Sequence, residues 1–173
     1  LEEEKEGKTQ QLKSGRITDI QTMPQKVSEQ AIITEQKVLR KANYIDPDKN
    51  QNNLYEIRYI PYKDRSEIRI IAEEKFDYLE TKFTKPPMIV IDMPEVVNSL
   101  PKQKLIIKRG KIKSIRHSQF MSLPVLTSRV VVDLLSSKVD YKIRFERENE
   151  LVIIIANEEG VKLEEAYLKI EPD

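Results

Sequence analysis

Residues 141–155 read Tyr-Lys-Ile-Arg-Phe-Glu-Arg-Glu-Asn-Glu-Leu-Val-Ile-Ile-Ile: a β-rich run, a polar turn and a second, wholly apolar run. β-branched and aromatic residues favour strands, and a short polar connection between two such runs is typical of a hairpin. We therefore predict strands over Tyr141–Glu146 and Leu151–Ile155, joined by a turn at 147–150.

The same pattern recurs from residue 54 onward. Further strands are predicted over Leu54–Ile60, Glu67–Ile71, Phe76–Phe83, Met88–Ile91, Leu105–Ile107, Ile112–Phe120 and Arg129–Leu135. Within Phe76–Phe83, the candidates for a buried face are Phe76, Tyr78, Thr81 and Phe83. Leu163–Ile170 is either a further strand or a terminal helix. About nine or ten strands, spaced roughly ten residues apart with no helix between them, predict an all-β antiparallel sandwich or barrel rather than alternating β and α units.

The first 53 residues differ in composition from the rest. Leu1–Lys26 is rich in Glu, Lys, Gln, Thr and Ser, which favours a tether that stays disordered without a partner. Ser28–Ala42 is compatible with a short helix, because Ile32, Ile33, Val38 and Leu39 share roughly one helical face. Asp46–Asn53 has the residue types of a linker. We predict a polar, partly disordered or helical arm over 1–53, the sandwich over 54–157 and a C-terminal extension over 158–173.

Composition limits the classes of function. The net charge of +1, from 30 basic and 29 acidic residues, gives no overall field that favours nucleic acid. No run approaches the roughly 18 apolar residues of a membrane span. The absence of cysteine excludes disulfides and thiolate sites. Residue 1 is Leu, so we expect a processed piece of a longer precursor, and a missing signal peptide does not argue against export.

Catalytic patterns are also weak in this sequence. His117 is the single histidine, so a metal site with several histidine ligands is excluded. We interpret His117 as a surface residue on a strand. The four glycines form no phosphate-binding cluster. The carboxylate pairs Asp92/Glu95 and Glu158/Glu159 are interpreted as solvated charge. We therefore predict a protein that is not an enzyme and has no metal and no cofactor.

One basic cluster stands out, and it comprises Lys102, Lys104, Lys108, Arg109, Lys111, Lys113 and Arg116. Arginine binds carboxylates through two parallel hydrogen bonds, and lysine adds unspecific attraction. The cluster fits an anionic partner, but it fits equally well the charge that water-facing strands carry for solubility. Asp92 and Asp133 each close a β-branched run and are predicted to cap turns.

Three motifs in order resemble the AMIN domain. The first is Pro87-Met88-Ile89-Val90-Ile91-Asp92-Met93-Pro94. The second begins with Gly110, which is predicted to lie in a turn where a positive φ is easy, and continues to Ile115-Arg116-His117-Ser118-Gln119-Phe120. The third is Arg129-Val130-Val131-Val132-Asp133-Leu134. AMIN domains occur in bacterial N-acetylmuramoyl-alanine amidases and in type IV pilus secretins. The sequence departs from the family at Met88, where Arg is common, and in the long Leu123–Leu126 insertion.

The resemblance implies an all-β, small two-sheet antiparallel sandwich. It also implies that the domain places its carrier at peptidoglycan, in the periplasm, rather than cleaving it. The candidate ligand-binding residues, for peptidoglycan or another anionic partner, are Arg109, Lys111, Lys113, Arg116, Gln119 and Arg129. For Arg116 and Arg129 the alternative is a structural ion pair with Asp92 or Asp133. The alternative function is a scaffold component that docks through protein contacts in a pilus secretin or flagellar motor, with residues 1–53 as its partner-binding arm.

Overall fold

The computed structural model describes residues 36–40, 51–160 and 163. The strands of these residues are β1 Lys37–Arg40, β2 Asn52–Pro61, β3 Arg65–Ala72, β4 Leu79–Thr84, β5 Pro87–Pro94, β6 Val96–Asn98, β7 Leu105–Arg109, β8 Ile112–Met121, β9 Thr127–Leu134, β10 Tyr141–Arg147 and β11 Glu150–Ala156. The predictions for Leu1–Lys26, for most of Ser28–Ala42 and for 164–173 lie outside the described residues.

The strands form two sheets. Sheet A has six strands in the order β1-β2-β3-β11-β10, with β6 also paired to β2, and sheet B has five in the order β4-β5-β9-β8-β7. The pairing of β6 with β2 is parallel, whereas the neighbours along both sheet orders pair antiparallel. The prediction of an all-β sandwich of two antiparallel sheets is confirmed.

The core lies between the two sheets and follows from the alternation of side chains along each strand. Sheet B contributes Ile89, Ile91 and Met93 from β5 and Val130, Val132 and Leu134 from β9, and sheet A contributes Ile68, Ile70, Leu151, Ile153 and Ile155. Successive residues of a strand point to opposite faces, so alternate residues are brought to one side. Burying each such side chain stabilises the fold by roughly 1.5–3 kcal/mol before chain entropy is subtracted.

Strand β1 was not predicted, and the helix proposed over Ser28–Ala42 is wrong for Lys37–Arg40. These four residues pair antiparallel with β2, with Leu39 opposite Ile57. Leu39 is buried in the main core. The helical spacing of isolated apolar residues is outweighed by pairing with a sheet edge, which satisfies the backbone and buries Leu39 at once.

The buried face predicted for Phe76–Phe83 is correct only at its start. Phe76 is buried and Tyr78 packs against the core, but strand β4 begins at Leu79 and all six of its residues are exposed. Phe83 is 41% exposed. Thr81 and Phe83 are opposite Val90 and Met88 of β5, so alternation along the strand places them on the outer face of sheet B and not in the core.

The turn between β7 and β8 forms where Gly110 was predicted to allow it, with a φ of +56°. A β-carbon at this position would lie 2.4 Å from Oδ1 of Asn157. That side chain is held in place: Oδ1 accepts a hydrogen bond from Ser66, and Nδ2 donates to the backbone carbonyl of Tyr62. The side chain of Asn157 therefore lies against the β7–β8 turn, where a β-carbon on residue 110 would clash with it.

We predict that Gly110→Ala lowers the free energy of unfolding by roughly 1–3 kcal/mol, because it adds both backbone strain and a steric clash. Gly160→Ala is the control, since Gly160 also has a positive φ of +81° but has nothing within 4 Å of the added carbon. Urea denaturation of the two variants measures the difference. Equal losses of stability would show that the contact with Asn157 has no effect.

Candidate functional site

The outer face of sheet B holds two of the predicted site residues, Arg116 and Arg129. This face is formed by the residues that alternate with the core: Met88, Val90 and Asp92 of β5, Arg129, Val131 and Asp133 of β9, and Ser114, Arg116 and Ser118 of β8. In the sequence these positions mix charge with aliphatic residues, whereas their inward neighbours are almost all aliphatic. The candidate site therefore lies on the rigid centre of a sheet and not on a loop.

Arg129 forms a bidentate ion pair with Asp92, which is directly opposite it on β5. Its Nε donates to Oδ1 at 2.6 Å and its Nη2 donates to Oδ2 at 2.8 Å. The ring of Phe120 lies 3.4 Å from the guanidinium carbon on the same face. The carboxylate and the ring together hold the guanidinium plane in one orientation.

Arg116 forms a second bidentate pair, with Asp133. Its Nε and Nη2 donate to the two carboxylate oxygens at 2.8 and 3.0 Å, and the hydroxyl of Ser114 donates to Oδ2 at 2.9 Å. Arg116 is opposite Val131 in the register, yet its Nη2 reaches Sδ of Met88 on β5 at 3.7 Å. The aliphatic stem of Arg116 therefore crosses β9, which explains why Val131 is buried although it lies on the outer face.

These contacts correct the prediction that Asp92 and Asp133 cap turns. Both carboxylates lie within strands and accept hydrogen bonds from arginine, so the ion-pair alternative for Arg116 and Arg129 describes the geometry. Burial alone would raise the pKa of Asp133, but the hydrogen bonds from Arg116 and Ser114 outweigh it and hold that pKa below its ordinary value. The hydrogen bonds to their aspartates raise the pKa of Arg116 and of Arg129, so both remain cationic.

The paired arginines keep unused hydrogen-bond donors. A guanidinium has five N–H groups, and a bidentate pair through Nε and one Nη uses two of them. In Arg116 the contact of Nη2 with Met88 uses a third. The side chain of Arg116 is 49% exposed and that of Arg129 is 29% exposed. The arrangement can thus present oriented cationic donors to a second anionic or polar group at the surface.

The other predicted site residues do not join this pair. Gln119 points away from Arg116 and Arg129 and has a structural role. Its Nε2 donates to the carbonyls of Met121 and Thr127, and its Oε1 accepts from the backbone N–H of Asn98. Arg109 and Lys111 are half-buried on either side of the Gly110 turn. Lys113 is exposed at an irregularity in the register of β8 with β9, which turns both Ile112 and Ile115 into the core.

The structure corrects the interpretation of His117 as a surface residue. It is half-buried, its Nδ1 lies 2.9 Å from Nδ2 and 3.1 Å from Oδ1 of Asn98, and its Nε2 lies 3.0 Å from the carbonyl of Gln103. Burial lowers the pKa of His117, against the opposing effect of the backbone carbonyls. The imidazole joins β8 to β6 and to the loop before β7, which is a structural role.

A cleft that sequence reasoning missed opens at the end of the sandwich. It has a volume of about 1000 Å³, with Phe76, Val97 and Leu126 among its apolar residues and the carboxyl groups of Glu74, Asp77 and Glu95 among its polar ones. Glu95 has a φ of +61°, at the point where the chain leaves sheet B for sheet A. The lining residues come from separate segments of the chain, so no local sequence signal marks the cleft.

Large apolar side chains are exposed around the β8–β9 connection. They are Phe120, Met121, Leu123 and Val125, and Leu123 is 84% exposed. Single exposed apolar residues are ordinary, whereas several together indicate a contact surface. The long insertion seen in the sequence at Leu123–Leu126 is the signal that marks this surface.

No group of three or more His, Asp or Glu side chains within the described ranges is placed to hold a metal ion. The part of the chain that the structure describes also contains no helix long and apolar enough to cross a membrane. Comparisons with protein families, with curated proteins and with solved structures gave no match to this chain.

The depressed pKa of Asp133 predicts an acid-dependent loss of stability. A carboxyl whose folded pKa is lowered stabilises the protein above its unfolded pKa of about 3.9, and this contribution is lost as the pH falls through the folded pKa. Asp133→Asn should therefore lower Tm relative to the wild type at pH 7, and the gap should narrow below about pH 4. Thermal denaturation followed by circular dichroism from pH 7 to pH 2.5 measures the gap. Asp77→Asn, at an exposed position, is the control, and a gap that stays constant to the lowest pH would contradict the assignment.

Proposed function

We propose that the chain is a non-catalytic binding module that localises its carrier, or an envelope machine, to peptidoglycan in the periplasm. The observation that supports this most is the pair of oriented guanidinium groups on the outer face of sheet B. Each is fixed from one side by an aspartate and retains further donors.

Fixed arginines suit the recognition of a polymer that carries carboxylates. The stem peptides of peptidoglycan present carboxylates, and a guanidinium binds such a group through two parallel hydrogen bonds. Because Asp92 and Asp133 already hold the two guanidinium planes, little side-chain entropy remains to be lost on binding. The exposed Lys113 on the same strand as Arg116 adds attraction for anions.

The negative charges of Asp92 and Asp133 are compatible with binding of an anionic group by the two arginines. Each aspartate neutralises one arginine, so the two ion pairs together carry no net charge, and binding depends on directed hydrogen bonds more than on long-range attraction. Such binding should show only modest dependence on salt. The nearby carboxyl groups of the cleft, including Glu95 three residues after Asp92, favour positively charged groups. A zwitterionic peptide stem offers both kinds of group.

The absence of a catalytic role is part of the proposal. His117 is engaged by Asn98 and Gln103, and the carboxylates of the outer face of sheet B are engaged by arginine. A general acid or base needs a side chain that is available to a substrate at hydrogen-bond distance. The binding role therefore fits these contacts better than an enzymatic one.

We predict that the purified chain cosediments with isolated peptidoglycan sacculi, and that an Arg116→Gln, Arg129→Gln variant binds at least about tenfold more weakly. Losing two charge-assisted hydrogen-bond sites at roughly 1 kcal/mol each or more accounts for that factor. Glutamine keeps part of the stem that covers Val131, so the fold is better preserved than with alanine.

The controls separate binding by these arginines from general charge. An Arg144→Ala, Arg147→Ala variant removes the same charge from the exposed strand β10 of sheet A and should bind as the wild type does. An Asp92→Asn, Asp133→Asn variant keeps both arginines but removes the carboxylates that orient them, so it should bind more weakly than the wild type although its net charge is more positive. No binding by the folded wild type at 50 or 150 mM salt would reject the proposal.

The second candidate function is a scaffold component that docks onto another protein of an envelope assembly, such as a pilus secretin or flagellar motor. The exposed apolar side chains of the β8–β9 connection favour it, since aromatic residues and methionine are enriched in protein interfaces. The predicted arm over residues 1–53 would supply further contacts with that partner.

For this candidate we expect a photoreactive residue at position 123 to give one discrete crosslinked product in cells, and a photoreactive residue at position 142, on sheet A, to give none. Mass spectrometry of the product identifies the partner. Loss of the product in a Phe120→Ser, Val125→Ser variant that remains folded would support docking at this surface. The absence of any product at position 123 would count against it.

A further inference from the structure

Within the described residues, strand β4 is the terminal strand at one edge of sheet B. It pairs with β5 on one side, and on the other side no strand of the described ranges pairs with it. All six residues of Leu79–Thr84 are exposed. An unpaired edge presents a row of backbone N–H and C=O groups, which is a template for another strand.

The side chains of β4 divide by face. Leu79, Thr81 and Phe83 lie on the outer face, opposite Asp92, Val90 and Met88 in the register with β5. Glu80 and Lys82 lie on the other face, where the hydroxyl of Tyr141 donates to Glu80 and the ammonium of Lys82 donates to the carbonyl of Val139. The strand thus has an apolar face and a face with one charge of each sign.

Charges on the inner side of an edge strand normally prevent pairing with other chains, because an opposing strand would leave them without a partner. The order of residues in β4 gives each of these charges an opposite charge when the partner is a second copy of β4. When two copies run antiparallel with Thr81 opposite the partner's Thr81, Glu80 is opposite the partner's Lys82. In the same register Leu79 is opposite the partner's Phe83.

We propose that the open edge of β4 pairs with β4 of a second copy of this chain, antiparallel and centred on Thr81. A shift of the centre to Glu80 or to Lys82 places like charges opposite each other. A shift of the centre to a point between two residues brings charged residues opposite uncharged ones and apolar residues opposite polar ones. Cross-strand pairs of opposite charge are favourable and pairs of like charge are unfavourable, so the sequence selects one register.

This pairing joins two five-stranded sheets into one continuous sheet. The two outer faces, each with its Arg116–Asp133 and Arg129–Asp92 pairs, then lie side by side. Two linked binding faces bind a repeating polymer more tightly than one, because the second contact forms at high effective concentration. The dimer itself does not depend on what the outer face binds.

Analytical ultracentrifugation of the full chain tests the dimer. The wild type should dimerise reversibly, and Glu80→Lys and Lys82→Glu should each raise the dimer Kd about tenfold or more, since each places like charges opposite each other at two crossings. An equimolar mixture of the two single variants should regain the dimer, because opposite charges meet again at both crossings. The Glu80→Lys, Lys82→Glu double variant should regain it as well.

The rescue separates pairing from local damage. Each single variant carries its own disturbance of the contacts with Tyr141 and Val139 into the mixture, so recovery there can come only from the contact between chains. A wild type that stays monomeric up to about 1 mM overturns the proposal. A dimer whose Kd is unchanged by both single substitutions also overturns the proposal. So does an equimolar mixture of the two variants that remains monomeric.

Disulfide formation tests the register. The chain has no cysteine, so a single introduced thiol can bond only to its copy in another chain. Directly opposed residues of antiparallel strands have β-carbons about 4.5–5.5 Å apart, close to disulfide distance. Thr81→Cys should therefore form a covalent dimer under mild oxidation. Phe83→Cys, also at an exposed position but opposite the partner's Leu79, should not, and the reverse result overturns the register.

Discussion

The burial of the inner faces of two opposed sheets is the constraint on which the rest of this structure depends. Strands β5 and β9 are adjacent at the centre of sheet B and contribute alternate aliphatic residues to the core, among them Ile89, Ile91, Val130 and Val132. Since a slip of one residue would turn these side chains to water, the register is fixed. The same register sets Asp92 directly opposite Arg129 on the other face. The candidate site is therefore a geometric consequence of the core.

Much of the fold was predictable because it rests on local patterns. The β-rich runs from Leu54 to Ile155 and the turn glycine at position 110 appear in the structure in the predicted order. The wrong or missing strand predictions are those in which contacts between distant segments determine the structure. Strand β1 exists because Leu39 is buried opposite Ile57, and β6 consists of only three residues paired in parallel with β2. In β4, pairing opposite Met88 turns Phe83 to the outer face in spite of its aromatic character. Neither pairing partner nor edge position is encoded in a local window of sequence.

The site was predictable in its residues more than in its geometry. Arg116 and Arg129 were identified, but their partners follow from strand register, and sequence reasoning left the choice between ligand and aspartate open. Gln119 was placed with them because it belongs to the same motif, Ile115–Phe120, as Arg116. Alternation along β8 turns it to the opposite face, where it bonds to Asn98 and Thr127. The cleft beside Glu95 was not predicted at all, because its lining comes from segments far apart in the chain.

The two faces of sheet B differ, since the inner face supplies the core and the outer face carries the two Arg–Asp pairs. An outer face of aliphatic residues alone would favour aggregation. On an outer face of unpaired charges, salt would screen much of the electrostatic attraction for a charged ligand. The two Arg–Asp pairs avoid both outcomes: the stem of Arg116 covers Val131, while its guanidinium stays half exposed at the surface. A pair of this kind contributes little to stability when exposed. What it supplies is orientation, since a guanidinium held at Nε and one Nη can turn its remaining donors in only one direction. The same sheet whose core fixes the register of β5 and β9 thereby fixes the direction of any contact made through Arg116 and Arg129.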